Sequence, residues 1–255
     1  MSKFGIIFCA YNCEDTVERA IEPYLEDDRF ITSVISIPFL EYIDQEEKED
    51  GTTSFLRDLF EKKKIDYFID NPKYIRDHEA RNLVVELLRR HDCSHYIIAD
   101  GDEHPTKEDL NKIIEFVEND EDSVWWSLSY KNFVFDDRTY LKEPFVPPRI
   151  FKTKKDEFIL PSFYWDNCVS YYNASGGQVN YLNLPNKNIP KDVAWIPHYT
   201  WPNNEIGKRK VFYQQKHHNG AACSFSWNEE KGLHFNEEWF RLNGQEIPEV
   251  IKVEP

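Results

Sequence analysis

No stretch of this 255-residue chain approaches the roughly twenty apolar residues of a membrane span. The opening Met1-Ser2-Lys3-Phe4 also lacks the pattern of a signal peptide. Basic charge is in short supply. Lys and Arg number 31 against 46 Asp and Glu, for a net charge of −15. Such a surface does not neutralise a phosphate field, which argues against nonspecific nucleic-acid binding while leaving room for one local basic groove. Cysteine is sparse and scattered (Cys9, Cys13, Cys93, Cys168, Cys223), odd in number and without a Cys-x-x-Cys pair. That spacing excludes a common zinc framework and fits reduced thiols in a cytoplasmic protein. Internal repeats and low-complexity tracts are absent as well.

What is present is globular in character, with 40% hydrophobic and 30% charged residues. The length suffices for one sizeable core, or a core plus an appendage. Phe4–Ala10 is a continuous apolar run, as expected of a strand covered on both faces. Val17, Ala20, Ile21 and Leu25 then recur at helical spacing until Pro23 bends or shortens the helix. Phe30–Leu40 reads as a second strand, Asp44–Asp50 as an acidic solvated loop, Ser54–Lys64 as a short helix and Ile65–Ile69 as a third strand. Asp77 opens a helix with the expected buried stripe Ala80, Leu83, Val84, Leu87 and Leu88. Thr106 caps another, with Leu110, Ile113, Ile114 and Val117 facing inward. Ser123–Phe135 reads as one long strand. The first half thus alternates strand and helix, which predicts an α/β fold with a mostly parallel central sheet flanked by helices. After Asp136 the alternation stops. A proline-rich connection precedes a short strand at Arg149–Lys152, an aromatic stretch of loops and short strands over Phe158–Asn188 and a basic helix over Asn204–His218. The tail carries no clear pattern.

Asp100-Gly101-Asp102-Glu103 follows the apolar run His95–Ala99 and precedes the Thr106 helix. A buried strand ending in carboxylates delivers them to a sheet edge, where ligands sit beyond the carboxyl ends of parallel strands. If the segment stays extended, Asp100 and Asp102 point the same way. Two hard oxygen donors on one side suit Mg²⁺ or Mn²⁺, above all when a phosphate completes the shell. The alternative is a solvated Asp-Gly turn.

These elements together resemble the nucleotide-sugar-dependent glycosyltransferases of the GT-A fold, most closely the large family 2. The first strand ending in Ala10-Tyr11-Asn12 looks like that family's opening motif, which lines the base and ribose pocket. Ala80-Arg81-Asn82 at a helix start is similar to its Arg-Asn element near the nucleotide. Asp100-Gly101-Asp102 is similar to its metal-binding Asp-x-Asp, and Ile196-Pro197-His198-Tyr199 resembles the C-terminal His segment of some members. The likeness spans roughly the first 135 residues, and 196–218 more loosely. Family members commonly carry acidic residues after the second strand, where one contacts the base. Here the chain reads Ser36-Ile37-Pro38-Phe39, with Glu41 and Asp44 only further on, so a uridine carrier is assumed from its frequency in the family alone.

The resemblance implies a nucleoside-diphosphate sugar donor, a glycan or other hydroxyl acceptor and a Mn²⁺ or Mg²⁺ cofactor. It also implies a nucleotide-sugar-binding half over 1–135, an acceptor-binding and sheet-completing half over 136–220, and an extension over 221–255. Asp102 would ligate the metal. Asp100 would bind it directly, through water, or hold the ribose instead. Gly101 lets the backbone approach closely. His198 is a candidate third ligand through neutral imidazole, or an ordinary core histidine. Arg81 would pair with phosphate or with Asp100, and Tyr11 would stack on the base or pack in the core. Inverting transfer needs a base for the acceptor hydroxyl. Asp166, within Phe163–Asn167, is the first choice, with Glu103 and Asp156 as rivals. Arg149 and Lys152 either face the diphosphate or are solvated, and Lys208, Arg209, Lys210 and Lys216 form a solvated helix face or meet an anionic acceptor. Two other classes stay open: a nucleotidyltransferase and a non-catalytic sugar-binding module or degenerate transferase. The former typically needs a Gly-rich phosphate loop, whereas Phe4–Asp15 holds only Gly5.

Overall fold

The computed structural model describes residues 2–25, 27–37, 49–70, 77–153, 158–165, 168–173, 178–201, 203–217 and 224–253. They fall into two compact units, one formed by 1–129 with 146–196, the other by 130–145 with 197–255.

In the first unit, β1 (Phe4–Cys9) is buried throughout. Helix α1 (Glu14–Ile21) buries Val17, Ala20 and Ile21 and gives way to a 3₁₀ turn at Pro23, because proline cannot donate the next helical hydrogen bond. Then come β2 (Phe30–Ile35), α2 (Thr52–Glu61), β3 (Tyr67–Ile69), α3 (Asp77–Leu88) and β4 (His95–Asp100). Helix α4 (Lys107–Glu118) starts at a capping box in which Thr106 and Asp109 satisfy each other's backbone N–H groups. Leu110, Ile113, Ile114 and Val117 are all buried, as their spacing predicts.

The expected long strand over Ser123–Phe135 divides at Leu128 into β5 (Trp125–Ser127) and β6 (Ser129–Val134), which join different sheets. Strand β7 (Thr139–Leu141) stays with β6 in the second unit. The chain returns to the first unit through β8 (Pro148–Lys152), a three-stranded sheet of β9 (Phe158–Trp165), β10 (Cys168–Asn173) and β11 (Gln178–Asn180), and β12 (Asn186–Asn188).

The central sheet has the order β12-β5-β8-β4-β1-β2-β3. Every pairing is parallel except those of β8, which is antiparallel to both β4 and β5. Six strands therefore run one way and one runs against them. The mixed α/β class with a mostly parallel sheet is as the alternation predicts. Ala80, Val84, Val85 and Leu88 of α3 pack into the core with Ile7, Tyr96 and Ile98 of the sheet. Leu83, expected in that stripe, is exposed instead. The inward face follows the 80, 84, 88 and 81, 85 rows, and Leu83 lies off both. Gly5 lets α3 come close, since a Cβ there would sit 2.8 Å from both Leu88 Cδ1 and Tyr96 Cδ1.

The second unit contains a sheet of order β13-β6-β7-β16, where β13 is Trp195–Trp201 and β16 is Val250–Lys252. Between them lie α5 (Asn204–His217), the hairpin β14 (Phe225–Asn228) with β15 (Gly232–Phe235), and α6 (Glu237–Leu242). Val134, Val211, Phe225 and Leu233 form its core. The tail thus has structure that its sequence pattern did not announce.

Candidate active site

Strand order locates the site. From β1 the chain moves to β2 and β3 on one side, then crosses to β4 on the other. In open parallel sheets ligands usually sit at such a reversal, beyond the carboxyl ends of the strands, here those of β1 and β4. Cys9 and Asp100 are register partners at those ends, so Ala10–Asn12 and Asp100–Glu103 leave the sheet side by side.

The two turns are tied together. Gly101 N–H donates to the Cys9 carbonyl at 2.8 Å, and the Thr16 hydroxyl donates to the Gly101 carbonyl at 2.7 Å. A Cβ on Gly101 would lie 2.6 Å from Cys13 Sγ and 2.8 Å from Ala10 Cβ. Only glycine permits this approach. Asn12 sits at φ 51°, a left-handed conformation that asparagine tolerates. Its Oδ1 accepts from Asp50 N–H at 3.1 Å. The Asp50 carboxylate in turn accepts from Glu14 N–H at 3.0 Å and Thr52 N–H at 2.8 Å, and Cys13 N–H donates to Thr52 Oγ1 at 2.9 Å. The β1 turn is thereby fastened to the start of α2. Burial, reinforced by the charges of Asp102 and Asp50, pushes the Cys13 thiol up to about 12. It stays protonated and is a poor nucleophile.

β4 stops at Asp100, and Gly101–Asp102 form a turn in which Glu103 N–H donates to the Asp100 carbonyl at 3.1 Å. The expectation that Asp100 and Asp102 share a side-chain direction required an extended segment, so it does not apply here. Asp100 is instead spanned by two guanidinium groups. Arg81 Nη2 is 3.4 Å from Oδ1, and Arg149 Nη2 is 2.8 Å from Oδ2. The same Arg149 nitrogen also contacts Glu103 Oε1, and Asp100 N–H donates to Glu103 Oε2 at 3.3 Å. Arg81, Arg149 and Glu103 are only 3%, 3% and 2% exposed. Two cations thus balance two anions, which is what makes their burial tolerable. Arg81 is buried and contacts Asp100, so it is not a plain surface charge of its helix. Its position four residues before the buried Val85 puts it on the inward face of α3. Arg149 is not solvated, since β8 carries it beside the end of β4. Its role was not legible because its carboxylate partners lie 49 and 46 residues away.

Asp102 is half-buried just past Gly101. Ala10 is buried, and Tyr11 and Asn12 are half-buried. Thr16, Asp50 and Thr52 were missed as members of the site. The polar start of α2 was a readable signal for the last two, whereas nothing local marks Thr16. Lys152 Nζ donates to the Glu121 carbonyl at 3.2 Å. Asp166 and Asp156 lie outside the described residues, as do Pro38, Phe39, Glu41 and Asp44.

His198 belongs to the second unit. It is buried on β13, within hydrogen-bonding distance of the Thr200 hydroxyl. Its ring stacks on Phe145 at 5.8 Å and lies 5.3 Å from Tyr130. In the same unit Lys208 Nζ sits 4.2 Å over the Trp227 ring, and Lys210 Nζ donates to the Thr200 carbonyl at 2.7 Å. Lys208 is exposed and Lys210 half-buried, so both make these contacts from the helix surface.

Among the described residues no group of three or more His, Cys, Asp or Glu side chains that could hold a metal ion is found. Asp100 is committed to arginines. Asp102 carries a hard oxygen donor, and Mg²⁺-type ions are commonly held by one or two carboxylates with substrate phosphates completing the shell. The residues present fit that arrangement and no all-protein cage. No helix among the described residues is long and apolar enough to cross a membrane.

No protein-family model and no curated protein sequence matches the chain. Among solved structures it is similar to Staphylococcus aureus TarS 1–349, at 13% identity and a TM-score of 0.46, covering 83% of this chain and 64% of that one. It is also similar to the mannosyltransferase PcManGT of Pyrobaculum calidifontis, solved with GDP-Man and Mn²⁺, at 13% identity and a TM-score of 0.45, covering 86% and 64%. A cytidylyltransferase from Leptospira borgpetersenii matches at 12% identity and a TM-score of 0.35, covering 60% and 61%. The chain spans a little under two thirds of the length of each of these structures.

Proposed function

We propose that the chain is a GT-A type glycosyltransferase, moving a sugar from a nucleoside-diphosphate sugar to a hydroxyl of a glycan or other acceptor with inversion. A uridine carrier is the starting assumption. The observation that carries the reading is the junction of the two turns at the switch point. Gly101 N–H on the Cys9 carbonyl holds Ala10–Asn12 and Asp100–Asp102 side by side at the ends of β1 and β4.

In this reading Tyr11 offers a ring for the base, Ala10 and Asn12 face the nucleotide sugar, and Gly101 brings the Asp100–Asp102 turn against Ala10. Arg81 and Arg149 hold Asp100 in one orientation, from which its carboxylate faces the ribose. Asp102 would hold Mn²⁺ or Mg²⁺ together with the two phosphates, and the ion would offset the charge that gathers on the departing diphosphate. A base takes the proton of the acceptor hydroxyl, whose oxygen bonds to the anomeric carbon as that carbon's bond to phosphate oxygen breaks. Asp166 is the proposed base. Glu103 is set aside, because a carboxylate that is 2% exposed and paired with Arg149 has no route to an acceptor. His198, packed against Tyr130 and Phe145, is read as a core residue of the second unit.

Nucleotidyl transfer is the weaker reading. The one glycine within Phe4–Asp15, Gly5, uses its missing Cβ to admit Leu88 and Tyr96, not to cradle a phosphate. Product analysis separates the classes. Release of nucleoside diphosphate from a sugar donor supports glycosyl transfer, pyrophosphate release from a nucleoside triphosphate supports nucleotidyl transfer, and neither product would leave only a binding role.

A further inference from the structure

Glu103 has no part in the chemistry just described, yet it is among the most deeply buried charges of the first unit. We propose that Glu103 is a positioning residue, acting through Arg149 on Asp100 and on the turn that presents Asp102; this rests on the glycosyltransferase reading. Three contacts carry the argument. Its Oε1 receives Arg149 Nη2, which also reaches Asp100 Oδ2 at 2.8 Å. Its Oε2 receives the Asp100 backbone N–H at 3.3 Å. Its own backbone N–H closes the turn onto the Asp100 carbonyl at 3.1 Å. One side chain thus grips both the guanidinium that orients Asp100 and the backbone from which Asp102 hangs.

The local environment explains why a carboxylate is used. The site holds two buried guanidinium groups, and Asp100 touches both of them. Glu103 places its negative charge against Arg149 and beside the buried Tyr24 phenol, whose ionisation is pushed upward first by burial and then by that charge. A glutamine of the same shape keeps one acceptor for Arg149. It loses the charge and, with its one oxygen on Arg149, turns its N–H₂ toward the Asp100 N–H, a donor facing a donor. Arg149 then relaxes from Asp100, and the Asp100–Asp102 turn loses its register against Ala10.

The test uses the full chain and a UDP-sugar plus Mn²⁺, with Glu103→Gln and the double variant Glu103→Leu/Arg149→Met. The double variant removes both charges, which is commonly tolerated where breaking one partner of a pair is not. Melting temperature, affinity for UDP and the pH profile of kcat for donor hydrolysis are measured. The expected result for Glu103→Gln is a fall in kcat of about 10- to 100-fold, the scale of lost outer-layer support. UDP affinity should change far less, and the acid-side limb of the kcat profile should persist. The double variant should show the same fall while melting close to wild type. An unchanged kcat in either folded variant overturns the proposal. Loss of the acid-side limb also overturns it, since Glu103 would then be the titrating base. If Glu103→Gln does not fold, the double variant decides by the same criteria. A wild-type chain that neither binds UDP nor hydrolyses any nucleoside-diphosphate sugar sinks the functional reading and this role with it. A wild type that does both, beside an unaffected variant, sinks the role of Glu103 alone.

Discussion

Replacing Gly101 with alanine puts one methyl group where the two site-forming turns touch. Its carbon would sit 2.6 Å from Cys13 Sγ, 2.8 Å from Ala10 Cβ and 3.4 Å from Ala10 Cα, against 3.4–4 Å for ordinary contact. Neither close neighbour is the free end of a long side chain. Cys13 is held by its backbone to Thr52, and Ala10 N–H is bonded to the Ile35 carbonyl at 3.0 Å. Relief must therefore come from the backbone, by stretching the Gly101 N–H bond to the Cys9 carbonyl. Overpacking of this kind costs about 1–3 kcal/mol, and in a chain of this size each kcal/mol lowers the melting temperature by roughly 2–4 °C. A functional loss should accompany the stability loss, because the displaced segments carry Tyr11, Asn12 and Asp102. Calorimetric titration of UDP with Mn²⁺ should show affinity reduced by about tenfold or more, the scale of a 1.4 kcal/mol change. Adding Cys13→Ala removes the sulfur contact and should restore part of both losses. A Gly101→Ala protein with wild-type melting and wild-type UDP affinity would refute the claim that these turns form one site.

Asp102→Asn should retain the wild-type melting temperature while donor hydrolysis falls by several kcal/mol in barrier terms, about a hundredfold or more; normal turnover would remove Asp102 from the metal assignment. Asp166→Asn should abolish transfer and spare donor binding, and unchanged transfer would remove Asp166 from the mechanism. His95 is buried, stacked on Phe4 at 4.9 Å, and burial, aided by Lys152, lowers its pKa to about 4. Its neutral form is favoured in the folded state, so its contribution is complete above the ordinary histidine value. The contribution is lost as pH falls from about 6.5 toward 4, up to about 3 kcal/mol. Melting curves at pH 7 and pH 5 should show the drop, and His95→Phe should flatten it; an unchanged slope in that variant would exclude His95 as the source.

Local patterns carried the first half of the fold. The unbroken apolar run of β1 and the Thr106 cap with its 110, 113, 114, 117 stripe were readable because backbone period and burial coincide there. Leu83 misled because a helix with apolar residues on two sides does not declare which side meets the sheet. Ser123–Phe135 misled because the switch at Leu128 is set by partners at β8 and β7, far along the chain. Around the site, the Asp100–Asp102 turn and Arg81 stood out in sequence. Arg149 and the buried state of Glu103 did not. An ion pair joining β8 to the end of β4 leaves no local signature, and an exposed acidic turn and a buried one read alike. Asp50 and Thr52 reach the β1 turn only because α2 begins beside it.

The central claim is that the site beyond β1 and β4 binds a nucleoside diphosphate with a divalent ion at Asp102. Isothermal titration of UDP into the full chain, with and without Mn²⁺, tests it most directly, run beside Asp102→Asn. The account predicts binding that Mn²⁺ strengthens in the wild type and leaves unchanged in the variant. Absence of binding for UDP and the other nucleoside diphosphates, or an equal Mn²⁺ effect in Asp102→Asn, would contradict it.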